Sequence, residues 1–425
     1  MNTYIKKPNY AEISEILQFV LDNKYSDFYR KKYSDLTIDK NQQTNDEIFN
    51  SLPLLTKKEL EDTHPDQRVF IDKEKINFVA YTSGTTSGKP LVMYFSEVDN
   101  YHFKPSLGLG VKRLLITYPP LNKNFGHTFV QQCKQANDKT TPVFADYQNL
   151  ANSAVIADKT NADAIYATPT IAIELASHIK NYYDPSKIKL LALGSETLTD
   201  SHRKQLKLLY PNAKIANLYA SSEIGQYILY PCKEIMDGDE NTFHLLDDAV
   251  VSAELIDNEL IVTYSKNKAI PLIRYKTGDS FEIVNDKCKC GLDGPILKWL
   301  GRKEIDKIRI SGIEIHTEDV ENVFSKISGH IGSQYQLHFY EIKDEGKNKV
   351  KIVIEIINPL GKESPVSNMI IEKVKNYLLD SWKLTPYSSL KDVISSGNFL
   401  EPEIKFVKEL SFKSSKTRRL VNHIQ

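Results

Sequence analysis

Residues 81–90 read YTSGTTSGKP, a run of small and hydroxylated residues closed by Gly88 and Lys89 and preceded by the apolar Ile76, Phe78 and Val79. Gly84 and Gly88 let backbone N–H groups turn toward an anion, and Ser83, Thr85, Thr86 and Ser87 offer hydroxyl donors to non-bridging oxygens. Lys89 adds a point charge. The stretch therefore reads as a cradle for phosphate. It is not the P-loop of nucleoside triphosphatases, which needs four residues between its glycines and a Ser or Thr after the lysine to hold magnesium. Here Gly84 and Gly88 enclose three residues, and Pro90 follows Lys89.

The chain has 425 residues, more than one core usually organises, so two or three domains are expected. Lys plus Arg and Asp plus Glu are both 55, a formal net charge of zero that points to neither nucleic acid nor an anionic membrane as partner. No apolar run approaches the roughly 18 residues of a membrane span, and the opening MNTYIKKPNY has no apolar signal core, so a cytoplasmic protein is expected. Four cysteines are too few for a disulfide scaffold and suggest metal or packing.

Within residues 10–33, Ile13, Ile16, Leu17, Val20 and Leu21 recur at helical spacing and predict an amphipathic helix. In LPLLTKKEL, residues 52–60, Thr56 and Glu59 predict a capping box. Strands are expected at 113–117, 142–145, 164–167, 190–193 and 215–219, with helices at 149–157, 171–179 and 200–209. That alternation argues for a mainly parallel sheet covered by helices, an α/β fold whose ligands sit at the carboxyl ends of strands. Two polar stretches lie at such ends: LALGSETLT, with Gly194, Ser195 and Glu196, and LYASSEIG, residues 218–225, with Glu223. From 242 to 283 the pattern turns strand-rich, with ELIVTY (259–264) and LIRYKTGD (272–279). WLGRKEIDKIRISGIEIHTEDVE (299–321) then leads into a small α+β region: a hairpin of 336–341 with 349–357, a helix over 364–382 and a strand at 403–407. The chain ends LSFKSSKTRRLVNHIQ. It holds no internal repeat and no low-complexity segment.

In this order the phosphate cradle, LALGSETLT, LYASSEIG, LIRYKTGD, the GRKEID stretch and the basic end resemble the signatures of adenylate-forming enzymes, which convert a carboxylic acid and ATP to an acyl adenylate and pyrophosphate. The resemblance spans nearly the whole chain. LPLLTKKEL, ATPTIAIELA from Ala167, PLIRYKTGD and the short basic end point to the phenylacetate:CoA ligase branch. It implies a large AMP-binding domain over 1–303 and a small mobile domain over 304–425. It further implies that Gly194, Ser195 and Glu196 line the adenine site, and that Tyr219 stacks on the purine with Ala220 and Ser221 beside it. Ser222 would touch the α-phosphate, Glu223 would hold magnesium, Asp279 and Arg302 would grip the ribose, and Lys416 would enter the site during adenylation. The usual order is Tyr, Gly, Thr, Glu, so Ala220 and Ser222 are departures, as is Ser415 in place of a glycine before the lysine. The hinge pivot is Glu304 or Asp306. Phe125, Gly126, His127 and residues 168–170 are expected along the acid, whose identity the sequence does not name. The acceptor thiol is CoA or a carrier-protein phosphopantetheine, and a nucleotide-binding protein without turnover is the rival reading. A homodimer is compatible with this reading.

Cys232 in LYPCKE, His244 in TFHLLDD, and Cys288 and Cys290 in KCKCGLDGP occupy places where that branch carries cysteines and a histidine. Four donors of this kind suit a closed structural zinc site. C-x-C is not the common zinc-knuckle spacing, and reduced thiols near a surface histidine are the alternative.

Overall fold

Five short apolar strands, Thr141–Phe144, Arg113–Ile116, Ala164–Ala167, Leu190–Gly194 and Lys214–Ser221, lie side by side in that order, each parallel to the next. In this computed structural model residues 2–423 are described, apart from 37–43, 82–90, 97–106, 118–139, 237, 239–240, 247–249, 286, 303–306, 311–312, 317–319, 321–322, 325, 327–334, 345–346, 358–364, 386–387, 409 and 412–419. Every residue of Ala164–Ala167 and Leu190–Gly194 is buried, as a parallel sheet covered on both faces requires. Their side chains alternate. Ile165, Ala167, Leu191 and Leu193 pack with Ala154, Leu175 and Leu206 of the helices Leu150–Thr160, Pro169–Ile179 and Asp200–Leu209. Tyr166, Leu190 and Ala192 join Leu218 and Tyr227 in a second cluster.

The strand-rich stretch does not form a sheet of its own. Lys214–Ser221 turns back through residues 222–225 onto the antiparallel strand Gln226–Tyr230. Thr242–Leu245, Ile296–Arg302, Leu272–Asn285, Glu259–Tyr264, Ser252–Ile256 and Asn2–Lys6 follow outward in one twelve-stranded sheet.

Two short helices occupy 10–33 in place of one. Tyr10–Leu21 starts on an Asn9–Glu12 capping box and ends before Asn23, whose side chain accepts from the N–H groups of Tyr25 and Ser26 and so turns the chain into Phe28–Lys32. The helix Lys57–Asp62 has the expected box, with Thr56 Oγ1 accepting from the Glu59 N–H and Glu59 accepting from the Thr56 N–H. Buried Arg274 ties this region down. It pairs with Glu254 at 2.8 Å and donates to the carbonyls of Asn50 and Leu52 at 2.7 and 2.8 Å.

The chain divides into two compact units, Met1–Leu198 with Leu206–Leu300, and Thr199–Gln205 with Gly301–Gln425. In the second, Tyr335–Asp344 and Lys347–Ile357 form the hairpin, paired residue for residue from Tyr335 with Ile356 to Asp344 with Lys347. Glu403–Val407 and Leu420–Asn422 add parallel strands on its two sides. Pro365–Ser381 is the helix, and its Val374 and Leu378 sit in the same core as Leu337, Ile352 and Ile354. The last strand is new relative to the sequence reading, which had a basic tail there. Among the described residues no helix is long and apolar enough to cross a membrane.

Candidate active site

The nucleotide residues expected from the sequence fall into three groups. Ser83, Gly84, Thr85, Thr86, Ser87, Gly88 and Lys89, the acid-lining Phe125, Gly126 and His127, the pivot candidates Glu304 and Asp306, and Lys416 all lie outside the described residues. Arg302 ends the strand Ile296–Arg302. The rest stand on the large sheet, at or near the carboxyl ends of its parallel strands.

Gly194 closes its strand, and a Cβ there would meet the Leu218 carbonyl oxygen at 3.3 Å, so the close approach of the two strands favours glycine. Ser195 follows with φ +67°, a left-handed turn that redirects the chain. Glu196 accepts from the Thr170 N–H at 3.2 Å. Thr170 Oγ1 is buried with no hydrogen-bond partner among the described residues.

Tyr219 and Asp279 meet. The tyrosine hydroxyl donates to Asp279 Oδ2 at 2.6 Å, and its ring packs edge-on against Phe281 with centroids 5.2 Å apart. The sequence reading ends that strand at Asp279, but Leu272–Asn285 runs on through it, with Gly278 at φ +77° next to the carboxylate.

Glu223 is 9 % exposed; it accepts from Ser221 Oγ at 2.7 Å, and Lys57 Nζ lies 3.4 Å from its other oxygen. Ala220 and Ser221 end the strand, and Ser222 begins the turn to Gly225. Sequence reasoning missed Lys57. It sits in LPLLTKKEL, where a capping box accounts for the pattern and nothing separates Lys57 from Lys58. Ser221, expected beside the nucleotide, donates its hydroxyl to the Glu223 carboxylate.

Cys232, His244, Cys288 and Cys290 converge, with all four ligand atoms within 4.8 Å of one another. Cys232 Sγ is 3.7 Å from Cys288 Sγ, and Cys290 Sγ is 3.5 Å from His244 Nε2. A tetrahedral zinc with bonds of about 2.3 Å to sulfur and 2.0 to 2.1 Å to nitrogen sets such donors about 3.8 and about 3.6 Å apart. The fit is close. His244 is 1 % exposed, so the alternative of a surface histidine fails. Burial pushes the Cys232 thiol up to about 12 and holds the His244 ring below its ordinary value, while at Cys288 burial is outweighed by hydrogen bonds from Cys290 and Cys232, which hold that thiol low; a bound cation would favour the thiolate form of such ligands.

The profile of a family described as AMP-binding enzyme matches residues 23–244, more than half of the chain. The chain belongs to that family. Among curated relatives of this AMP-binding enzyme, a phenylacetate-coenzyme A ligase of Pseudomonas putida is 24 % identical over 86 % of this chain and 87 % of its own length. One of Thermus thermophilus is 25 % identical over 79 % and 78 %. The protein CapK of Staphylococcus aureus is 27 % identical over 66 % and 67 %. Among solved structures, 2-hydroxyisobutyryl-CoA ligase in its postadenylation state, in complex with R3-HIB-AMP, superposes with TM-score 0.73 at 17 % identity, covering 96 % of this chain and 88 % of that one. That likeness concerns the fold. Family and relatives together place the chain among adenylate-forming ligases, in the phenylacetate-CoA ligase branch.

Proposed function

We propose that the protein joins an aromatic carboxylic acid to CoA in two steps through an acyl adenylate. The observation that carries this reading is the meeting of Tyr219 with Asp279, and of Ser221 with Glu223, near the carboxyl ends of the parallel strands of an AMP-binding fold. A carboxylate oxygen attacks the α-phosphorus of ATP, and the bond from that phosphorus to the bridging oxygen breaks. Pyrophosphate leaves with the electron pair. A thiolate then attacks the acyl carbonyl carbon, and AMP departs. The first nucleophile is already an anion at neutral pH, so the site needs positioning and charge stabilisation more than proton transfer.

Asp279 would accept from the ribose hydroxyls and Tyr219 would present its ring to the purine, with Gly194 leaving room at the base and Ser195 and Glu196 beside it. Ser222 would donate to the α-phosphate, while the 81–90 cradle would take the outer phosphates. Arg302 would reach the ribose from the end of its strand. Glu223 would be the magnesium ligand, and magnesium there would supply charge that shields the phosphates from the incoming acid. Lys416 would bridge the acid and the α-phosphate. The orphaned Thr170 hydroxyl supports the placing of 168–170 along the acid. Cys232, His244, Cys288 and Cys290 would hold a structural zinc, which supplies a crosslink and no chemistry of turnover. ATP and CoA as co-substrates go with a cytoplasmic location.

A pyrophosphate-release screen over aryl, fatty and amino acids tests the reading, followed by thioester assays with CoA against a carrier-protein phosphopantetheine. Release with aryl acids and a CoA thioester are expected. AMP binding without pyrophosphate release from any acid would reduce the protein to a nucleotide binder.

A further inference from the structure

None of the signatures around the phosphate cradle, Gly194, Glu223 or Asp279 includes Lys57, yet its ammonium lies 3.4 Å from Glu223 Oε1. It is delivered there by a built support. Arg274 clamps the carbonyls of Asn50 and Leu52, and Leu55 then exchanges two backbone bonds with the same strand, from its N–H to the Arg274 carbonyl at 2.9 Å and to its carbonyl from the Lys276 N–H at 2.8 Å. Thr56 caps the next turn, and Lys57 is its first residue. Three residues beyond Lys276 on that strand stands Asp279. The segment that holds Lys57 is therefore fixed to the strand that carries the candidate ribose ligand.

The Glu223 carboxylate is too buried to stand well without a counter-ion, and with no nucleotide bound Lys57 supplies one. A divalent ion is the stronger partner for a carboxylate, so magnesium arriving with ATP would displace the ammonium. The displaced ammonium then stands beside a polyphosphate whose negative charge exceeds what one magnesium neutralises. A lysine is suited to that exchange, being a compact point charge on a flexible stem. We propose that Lys57 is a second phosphate-binding lysine of the adenylation site: counter-ion to Glu223 in the empty site, and to the β- and γ-phosphates, which leave as pyrophosphate, when Mg·ATP is bound. This inference rests on Glu223 belonging to the nucleotide site. Charge that gathers on the leaving oxygen meets the ammonium, and no proton moves.

Calorimetric titrations of the full chain with Mg·ATP, Mg·pyrophosphate and AMP test it, on wild type, Lys57→Ala, Lys57→Met and Lys57→Arg. Loss of one charge-assisted phosphate contact should weaken Mg·ATP and Mg·pyrophosphate about tenfold in Lys57→Ala and Lys57→Met. AMP lacks the outer phosphates, so its affinity should stay within about twofold. Lys57→Arg, which keeps the charge, should recover most of the loss. Equal weakening of AMP and ATP, or no weakening of either, overturns the role and leaves Lys57 a structural partner of Glu223. A wild-type chain that binds no nucleotide overturns the proposed function as well, whereas wild-type binding with indifferent Lys57 variants overturns this inference alone.

Discussion

Asp279, the proposed ribose ligand, has little freedom: it is 3 % exposed, already accepts from the Tyr219 hydroxyl, and would also serve the ribose. Asp279→Ala should weaken ATP and AMP alike, because both carry the ribose. Tyr219→Phe keeps the ring and loses one hydrogen bond, an effect of about 1 kcal/mol. The two changes should not add, since the hydroxyl acts through the carboxylate, and a double-mutant cycle on AMP affinity would show it. Additive losses would separate the two residues. Lys416 is proposed for the chemical step. Lys416→Ala should slow adenylation by about 2 to 4 kcal/mol, as for a lost preorganised charge donor, while thioester formation from supplied acyl adenylate survives. Equal loss in both half-reactions would remove Lys416 from that role.

Elements of the large sheet and the turn before Ile296–Arg302 are joined at the cysteine cluster. Cys232 follows the strand Gln226–Tyr230, His244 lies in Thr242–Leu245, and Cys288 and Cys290 lie in the connection to Ile296–Arg302. Their donors come together only once these pieces are folded, so zinc binding there would be linked to folding. Purified protein should carry about one equivalent of zinc, and chelation should lower the melting temperature before it touches AMP affinity. Cys288→Ser should melt early in the same way. Metal-free protein from a chelator-free preparation, together with unchanged melting of Cys288→Ser, would return the four to buried packing.

A second elemental junction is Glu355 in Lys347–Ile357, which accepts from the Ser411 N–H at 2.7 Å and from its hydroxyl. Burial by itself would raise this carboxyl, but the Ser411 bonds and the nearby His338 outweigh it and hold it below its ordinary 4.5. A depressed carboxyl stabilises the fold above 4.5, and that contribution is lost as pH falls through the folded value. Unfolding midpoints of Glu355→Gln should accordingly vary less with pH below 4.5 than those of the wild type, and parallel curves would count against the junction.

At the scale of the whole chain, the proposed two-step reaction would need a turn between its half-reactions at the hinge expected at Glu304 or Asp306. Proline locks φ and cannot follow a pivot's change of backbone angle. One of Glu304→Pro and Asp306→Pro should retain pyrophosphate release and lose thioester formation, and the one that does is the pivot. If both variants keep both half-reactions, no hinge turns at this stretch.

Local chemistry in the sequence was enough for the parallel half of the sheet. Ala164–Ala167 and Asp200–Leu209 stand where the apolar runs and periodicity put them, and the Thr56–Glu59 box formed because its partners are three residues apart. The adenylate-forming family was equally legible, since its signatures are short and contiguous. Other features depend on residues far apart in the chain. That the strand-rich stretch continues the same sheet is a matter of edge pairing, which strand propensity does not specify. Four donors spread over residues 232–290 become a cluster only through strand register, and Lys57 reaches Glu223 across 166 positions because Arg274 and Leu55 bind the N-terminal segment to a distant strand. Sequence pattern records which faces are apolar and which turns are tight; which charged groups finally meet is set by packing, and only the tertiary structure decides that.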